Sequence, residues 1–159
     1  MALGFLESVV VGEMSFGSFK SFGPVGLPAA QAKAGLWGLL IGDAVGVPYE
    51  FHSPASLPPI DVIDLIPPRG FPRAHQGVPP GTWSDDGAQA LALLDTLLTR
   101  GGVDLPHFAD NLRAWLHEGR FAVNRSVFDI GRQTSTAINR LMSGCPPEAA
   151  GPSSVAAAF

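Results

Sequence analysis

The sequence predicts an all-α fold, and three observations carry that reading. Apolar residues recur three and four apart in four separate segments, the spacing that lines one face of a helix. The last three of these segments each run into a glycine that can end a helix. No stretch alternates apolar and polar residues for long, so strands are not expected.

The elements follow in order. Residues 1–29 carry Gly, Ser and Phe without either periodicity and close with Pro24 and Pro28, which predicts a poorly ordered extension ahead of one domain over 30–159. From Ala30 to Val47, the residues Ala34, Trp37, Leu40, Ile41 and Ala44 predict a buried helix. Gly35, Gly38, Gly42 and Gly46 each cost such a helix about 1 kcal/mol relative to alanine. Their stripe suits close approach by another backbone or a ligand.

Residues 53–81 hold Pro54, Pro58, Pro59, Pro67, Pro68, Pro72, Pro79 and Pro80, a density no regular helix survives. A long loop is expected, with a short extended piece at Asp61 to Ile66. Ala88, Leu91, Ala92, Leu94, Leu97 and Leu98 then predict a helix stopped by Gly101-Gly102. Asp104 is placed to cap the next one, with Pro106 in its first turn, Phe108, Leu112, Trp115 and Leu116 inward and Gly119 at its end. A fourth helix follows Asp129, with Ile130, Ala137, Ile138 and Leu141 inward and Ser143-Gly144 as the stop.

Composition excludes several classes. At 159 residues the chain is long enough for one domain with its own core. With 46% hydrophobic and 15% charged residues it is globular in composition and not disordered. A net charge of −4 and the absence of any basic run give no reason to expect nucleic acid or anionic lipid. Cys145 is the only cysteine, so an intrachain disulfide and a cysteine zinc site are both excluded. No apolar stretch reaches the roughly 20 residues of a membrane span. Glu7 and Glu13 interrupt the start of the chain, which lacks the positive region of a secretory signal, and a cytoplasmic location is expected.

Three acid-bearing places remain. Ser84-Asp85-Asp86 follows a rigid Pro79-Pro80-Gly81 turn and opens a helix. Adjacent carboxylates repel, so they need a positive partner: the amino end of the helix, as a cap and acidic first turn, or a hard divalent cation. In Gly42-Asp43-Ala44-Val45-Gly46-Val47-Pro48-Tyr49-Glu50, Asp43 reads as a helix-end hydrogen bond and Glu50 as either a solvated acid or one turned into a cleft by Gly46 and Pro48. In Phe128-Asp129-Ile130-Gly131, Asp129 reads as a cap or as a site residue.

Taken together and in this order, these pieces resemble the ADP-ribosylglycohydrolase family over about Ala32 to Gly144. The matching segments are Gly38 to Glu50, Pro80 to Asp86, the helix Ala88 to Leu98, and Phe128-Asp129-Ile130-Gly131 with Thr134. The resemblance implies an all-α ADP-ribosylglycohydrolase-like domain around a cleft with two Mg²⁺ or Mn²⁺ ions. It further implies an ADP-ribosyl substrate, on a protein side chain or a small molecule, cleaved at the ribose anomeric carbon by metal-activated water. Carried onto this chain, Ser84, Asp85 and Asp86 become metal ligands. Glu50 and Asp129 become the catalytic candidates, with Gly46 and Asp129 contacting substrate.

Two departures from the family pattern shape the expectation. Gly87 stands where the family commonly has threonine, and the distal Asp-x-Asp-Thr/Ser stretch that completes the two-metal site is absent from this sequence. The domain is therefore expected to be incomplete, a truncated form that supplies ligands for part of the site. Alone, it is expected to be inactive and to self-associate through its exposed core. The alternatives are a non-catalytic ADP-ribose binder and a structural fragment of the same fold.

Overall fold

The computed structural model of the chain describes residues 29–151. All regular structure among them is helical, as the sequence predicts. None of these helices is long and apolar enough to cross a membrane. The chain divides into two compact units, with the boundary between Trp83 and Ser84. The extension expected over residues 1–29 lies, except for Ala29, outside the described residues.

In the first unit, helix α1 spans Ala29–Gly46 and runs directly into a 3₁₀ turn at Val47–Tyr49, with Pro48 in its first positions. Proline suits that place because its fixed φ fits a helical start and no amide is needed there. Leu40, Ala44, Val47, Pro48 and Tyr49 are buried. The inward set is narrower than its spacing suggests: Trp37 and Ile41 are half-buried and Ala34 is exposed. A Cβ added at Gly35, Gly38, Gly42 or Gly46 would meet nothing within 4 Å. The glycine stripe therefore faces open space among the described residues, and no other described backbone closes on it.

The proline-rich loop is fastened by side chains, since it has few backbone bonds of its own. It forms short 3₁₀ turns at Pro54–Ser56 and Ile60–Val62. The second takes the place of the start of the extended piece expected at Asp61 to Ile66, while Ile63 after it is extended, with φ −73° and ψ 122°. Pro59 stands at its N-cap, and the Ile63 amide closes onto the Ile60 carbonyl at 3.4 Å. The Tyr49 hydroxyl both donates to the Asp64 carbonyl, at 3.0 Å, and accepts from the Asp64 amide, at 3.2 Å. Further along, the Ala74 amide donates to the Pro48 carbonyl at 2.9 Å. The Phe71 ring lies against both Tyr49, at 5.1 Å between centroids, and His52, at 4.7 Å.

The second unit holds α2 (Asp85–Arg100), α3 (Leu105–Glu118), α4 (Arg132–Met142) and a single turn, α5 (Pro147–Ala150). Helix α2 packs on α3, and α3 on α4 and α5. The core they share comprises Ala88, Leu91, Ala92, Ala109, Leu112, Trp115, Val123, Ile138, Leu141 and Ala150. The helix stops fall where glycine allows the left-handed conformation: Gly101 has φ 73° and Gly119 φ 69°. At Gly119 a side chain is also excluded by space, because a Cβ would strike the Arg125 backbone. Asp104 caps α3 by accepting from the His107 amide at 2.9 Å.

A buried polar group ties α2 to α3. Asn111, 2% exposed, donates from Nδ2 toward Asp95 Oδ2 at 2.8 Å and the Ala92 carbonyl at 3.1 Å. Its Oδ1 accepts from Arg120 Nη1 at 3.0 Å. Buried Thr96 donates to the Ala92 carbonyl at 3.1 Å and bonds His107 Nδ1 at 3.0 Å. Arg113 does similar work between α3 and α4, donating to the Leu141 carbonyl at 2.9 Å near the negative end of α4. Urea unfolding provides the check. Asn111→Ala is expected to lower stability by about 2–3 kcal/mol because it strands buried partners. Asp104→Ala, which removes only a cap, should cost about 1 kcal/mol.

Candidate functional site

The chemistry-bearing residues of the second unit gather where two helices begin. Ser84 is the residue before α2 and is buried, Asp85 is half-buried and Asp86 is exposed. The Ser84 carbonyl accepts the first helical bond, from the Ala88 amide at 3.3 Å, but its side chain makes no capping hydrogen bond. The plain capping reading of Ser84 is thereby removed. The two acids lie in the first turn of α2, where the helix dipole favours them.

Asp85 reaches across to the other helix start. Its Oδ2 accepts from the Gly131 amide at 3.3 Å and from Gln89 Nε2 at 3.3 Å. Gly131 is the residue before α4, so this carboxylate sits at the positive end of α4. A Cβ on Gly131 would stand 3.7 Å from Asp85 Oδ2 and 3.8 Å from Thr134 Oγ1, which brings Thr134 to the same place. Asp129 is half-buried, precedes α4 by three residues and has φ 52°. Gly131, and not Asp129, occupies the N-cap position of α4.

Charge is concentrated here. Burial pushes the Asp85 carboxyl above its ordinary range, and the negative charges of Asp86 and Asp129 push it the same way. The Gly131 amide bond acts against them without cancelling them. A partly buried carboxylate with two more acids beside it, joined by a serine oxygen not used for capping, is a set of hard oxygen donors. That set suits Mg²⁺ or Mn²⁺.

In the first unit, Glu50 follows the Val47–Tyr49 turn, with φ −58° and ψ 156°. Its Oε2 lies 2.7 Å from His75 Nε2, and both side chains are largely shielded. The sequence reading missed His75, because nothing in the local pattern links it to a residue 25 positions earlier in the chain. Gly46 has the ordinary helical φ of −66°, and a Cβ there would meet nothing within 4 Å. Its conformation therefore makes no demand for glycine, and a substrate contact is the reading that the sequence alone supplies.

The fold and site define an all-helical protein with paired aspartates at a helix start, and comparison with known proteins gives the particular family. The chain belongs to the ADP-ribosylglycohydrolase family, whose match runs over residues 27–158. It is 34% identical over 112 residues to the ADP-ribosylarginine hydrolase Tri1 of Serratia proteamaculans, covering 70% of this chain and 28% of that protein. With the ADP-ribosylarginine hydrolase Tri1 of Pseudomonas putida it is 38% identical over 111 residues, covering 68% of this chain and 27% of that protein. An uncharacterised protein of Archaeoglobus fulgidus is 32% identical over 110 residues, covering 67% and 32% of the two chains. The chain thus spans less than a third of the length of these relatives. No solved structure matches it.

The upward shift of the Asp85 pKa has a consequence for stability. The folded chain holds this proton more tightly than the unfolded chain does, so the group favours folding below its ordinary value of 3.8. That contribution is lost as pH rises through the raised value, and at neutral pH the ionised carboxylate opposes folding. In chelator, Asp85→Asn is expected to melt above the wild type at neutral pH. The difference should close as pH falls below the ordinary aspartate range, which thermal melts across a pH series would read.

Proposed function

We propose that this chain supplies metal-binding and catalytic residues of an ADP-ribosyl hydrolase whose substrate is ADP-ribose attached to an arginine side chain. The observation that carries the reading is the cluster at the start of α2. Ser84 does not cap, Asp85 is driven toward protonation by burial first and by the charges of Asp86 and Asp129 second, and Asp86 is exposed beside it. The arginine linkage rests on the names of the two bacterial relatives.

In this reading Ser84, Asp85 and Asp86 hold Mg²⁺ or Mn²⁺. When bound, the cation supplies positive charge for ribose hydroxyls and lowers the pKa of water. The reaction breaks the bond between the ribose anomeric carbon and a guanidino nitrogen. Positive charge grows on the sugar as that bond lengthens, and carboxylates stabilise it. Water adds to the anomeric carbon, one of its protons passes to a carboxylate, and the departing nitrogen regains a proton to leave as free arginine. Glu50 is the candidate for this proton traffic or for orienting the sugar. Asp129, beside Asp85, is the second acidic candidate and a substrate contact, with Gly46 as a further contact.

Two measurements test the reading. Mn²⁺ titration followed by electron paramagnetic resonance should show binding by the chain that Asp85→Asn and Asp86→Asn each weaken at least about 10-fold. Release of ADP-ribose from ADP-ribosylated arginine should require Mg²⁺ or Mn²⁺ and fall about 100-fold or more in the same variants. Metal-independent release, or variants equal to wild type, would remove these three residues from the role. Calorimetric binding of ADP-ribose without turnover would instead make the chain a binder.

A further inference from the structure

His75 lies in the proline-rich loop, yet it is placed with more care than a loop residue needs. Two fastenings bring its segment onto the turn that ends in Glu50: Phe71 packs on Tyr49 and His52, and the Ala74 amide donates to the Pro48 carbonyl at 2.9 Å. Within the segment, the Val78 amide closes a turn onto the His75 carbonyl at 2.8 Å. Arg73 Nη2 adds a bond to the Val78 carbonyl at 2.6 Å, which stiffens the same turn from within.

His75, which meets the Glu50 carboxylate, and Phe51, whose ring meets His75, both carry left-handed backbone: Phe51 at φ 62° and His75 at φ 47°. Left-handed backbone is costly for a bulky side chain, and such strain concentrates where geometry serves function. Burial does not repay Phe51, which is 82% exposed. Its ring instead stands against the His75 imidazole, 5.4 Å between centroids and tilted by 59°. The imidazole is thus held between an aromatic ring and the Glu50 carboxylate, 2.7 Å away.

We propose that His75 is a positioning residue that fixes the Glu50 carboxylate in one orientation. The significance of that orientation for hydrolysis rests on the function proposed above, whereas the contact itself does not. A glutamate has three rotatable bonds and sweeps a wide arc, so a group meant to handle a proton or a sugar hydroxyl needs a partner to fix it. A short bond from a ring N–H to a carboxylate is strong and directional. An ionised carboxylate only accepts, so the neutral imidazole must carry its proton on Nε2, and Glu50 sets that tautomer.

Two experiments separate this proposal from the hydrolase reading. In the first, long-range proton–nitrogen correlation spectra of the chain are recorded at alkaline pH, above the ordinary histidine range. His75 should appear as the Nε2–H tautomer, and Glu50→Ala should shift its ring nitrogens toward a mixture of tautomers. Identical His75 signals in wild type and Glu50→Ala would overturn the proposal. In the second, ADP-ribosylarginine turnover is compared between His75→Ala and His75→Gln. The alanine variant should lose about 10–100-fold in kcat with KM little changed, as removing the partner of a functional group commonly does. His75→Gln keeps an N–H donor and should recover most of that loss. An active wild type that His75→Ala leaves unaltered would also overturn the proposal. A wild type that releases no ADP-ribose refutes the hydrolase reading, and the tautomer spectra then decide the His75–Glu50 pairing alone.

Discussion

The acids at the start of α2 are held against their own electrostatic preference, and the packing of the second unit is what holds them. Asp85 sits where burial first, and the charges of Asp86 and Asp129 second, disfavour its ionised form. The Gly131 amide bond to Asp85, at 3.3 Å, is too long to fix two helices by itself. The restraint comes from elsewhere. Asn111 locks α2 to α3 through Asp95 and the Ala92 carbonyl, and Arg113 ties α3 to the last turn of α4. With α2 and α4 both referred to α3, their amino ends cannot drift apart. The acidic cluster is therefore a product of the core, and it keeps a local excess of negative charge that a divalent cation would relieve.

A different constraint shapes the first unit. Proline removes backbone donors, and the segment from 53 to 81 has eight of them. It cannot hold itself by a ladder of backbone bonds, so it borrows rigidity from the end of α1. Tyr49 is the anchor: its ring supports Phe71 and its hydroxyl satisfies both backbone groups of Asp64. Each of these contacts falls within one or two residues of Glu50. The stiffness that α1 gives to its terminal turn is thus passed on to the loop, and returns to Glu50 through His75.

What could be read from the sequence follows from how local each cause is. Helix stops at Gly101 and Gly119, and the cap at Asp104, act within one turn of chain, and the structure has them where the sequence puts them. Faces are less local. Ala34 has helical spacing for burial yet is exposed, and the glycine stripe beside it meets open space. The 3₁₀ turn at Ile60–Val62 displaced the start of an expected extended piece because Pro59 favours a turn start over continued extension. Asp85 and Asp86 were legible as paired acids behind a stiff turn. The meeting of Asp85 with Gly131, and of His75 with Glu50, spans 46 and 25 residues of chain. No local periodicity encodes partners at such separations.

Strained backbone sharpens the distinction between what stabilises this chain and what its chemistry requires. Phe51, His75 and Asp129 each hold positive φ, at a cost of about 1–3 kcal/mol apiece in residues that prefer other conformations. Glycine would relieve the strain at any of the three, and the chain does not use it there, although it spends glycine freely along α1 where conformation makes no such demand. These three adjoin or belong to the acid-bearing places, since Phe51 follows Glu50, His75 bonds it and Asp129 lies beside Asp85, whereas Phe121, Asn124 and Arg125 hold positive φ in the turn after α3. A side chain is therefore needed at these positions more than a relaxed backbone is. At Phe51 and His75 those side chains form the ring contact and the bond that hold the Glu50 carboxylate's partner in place.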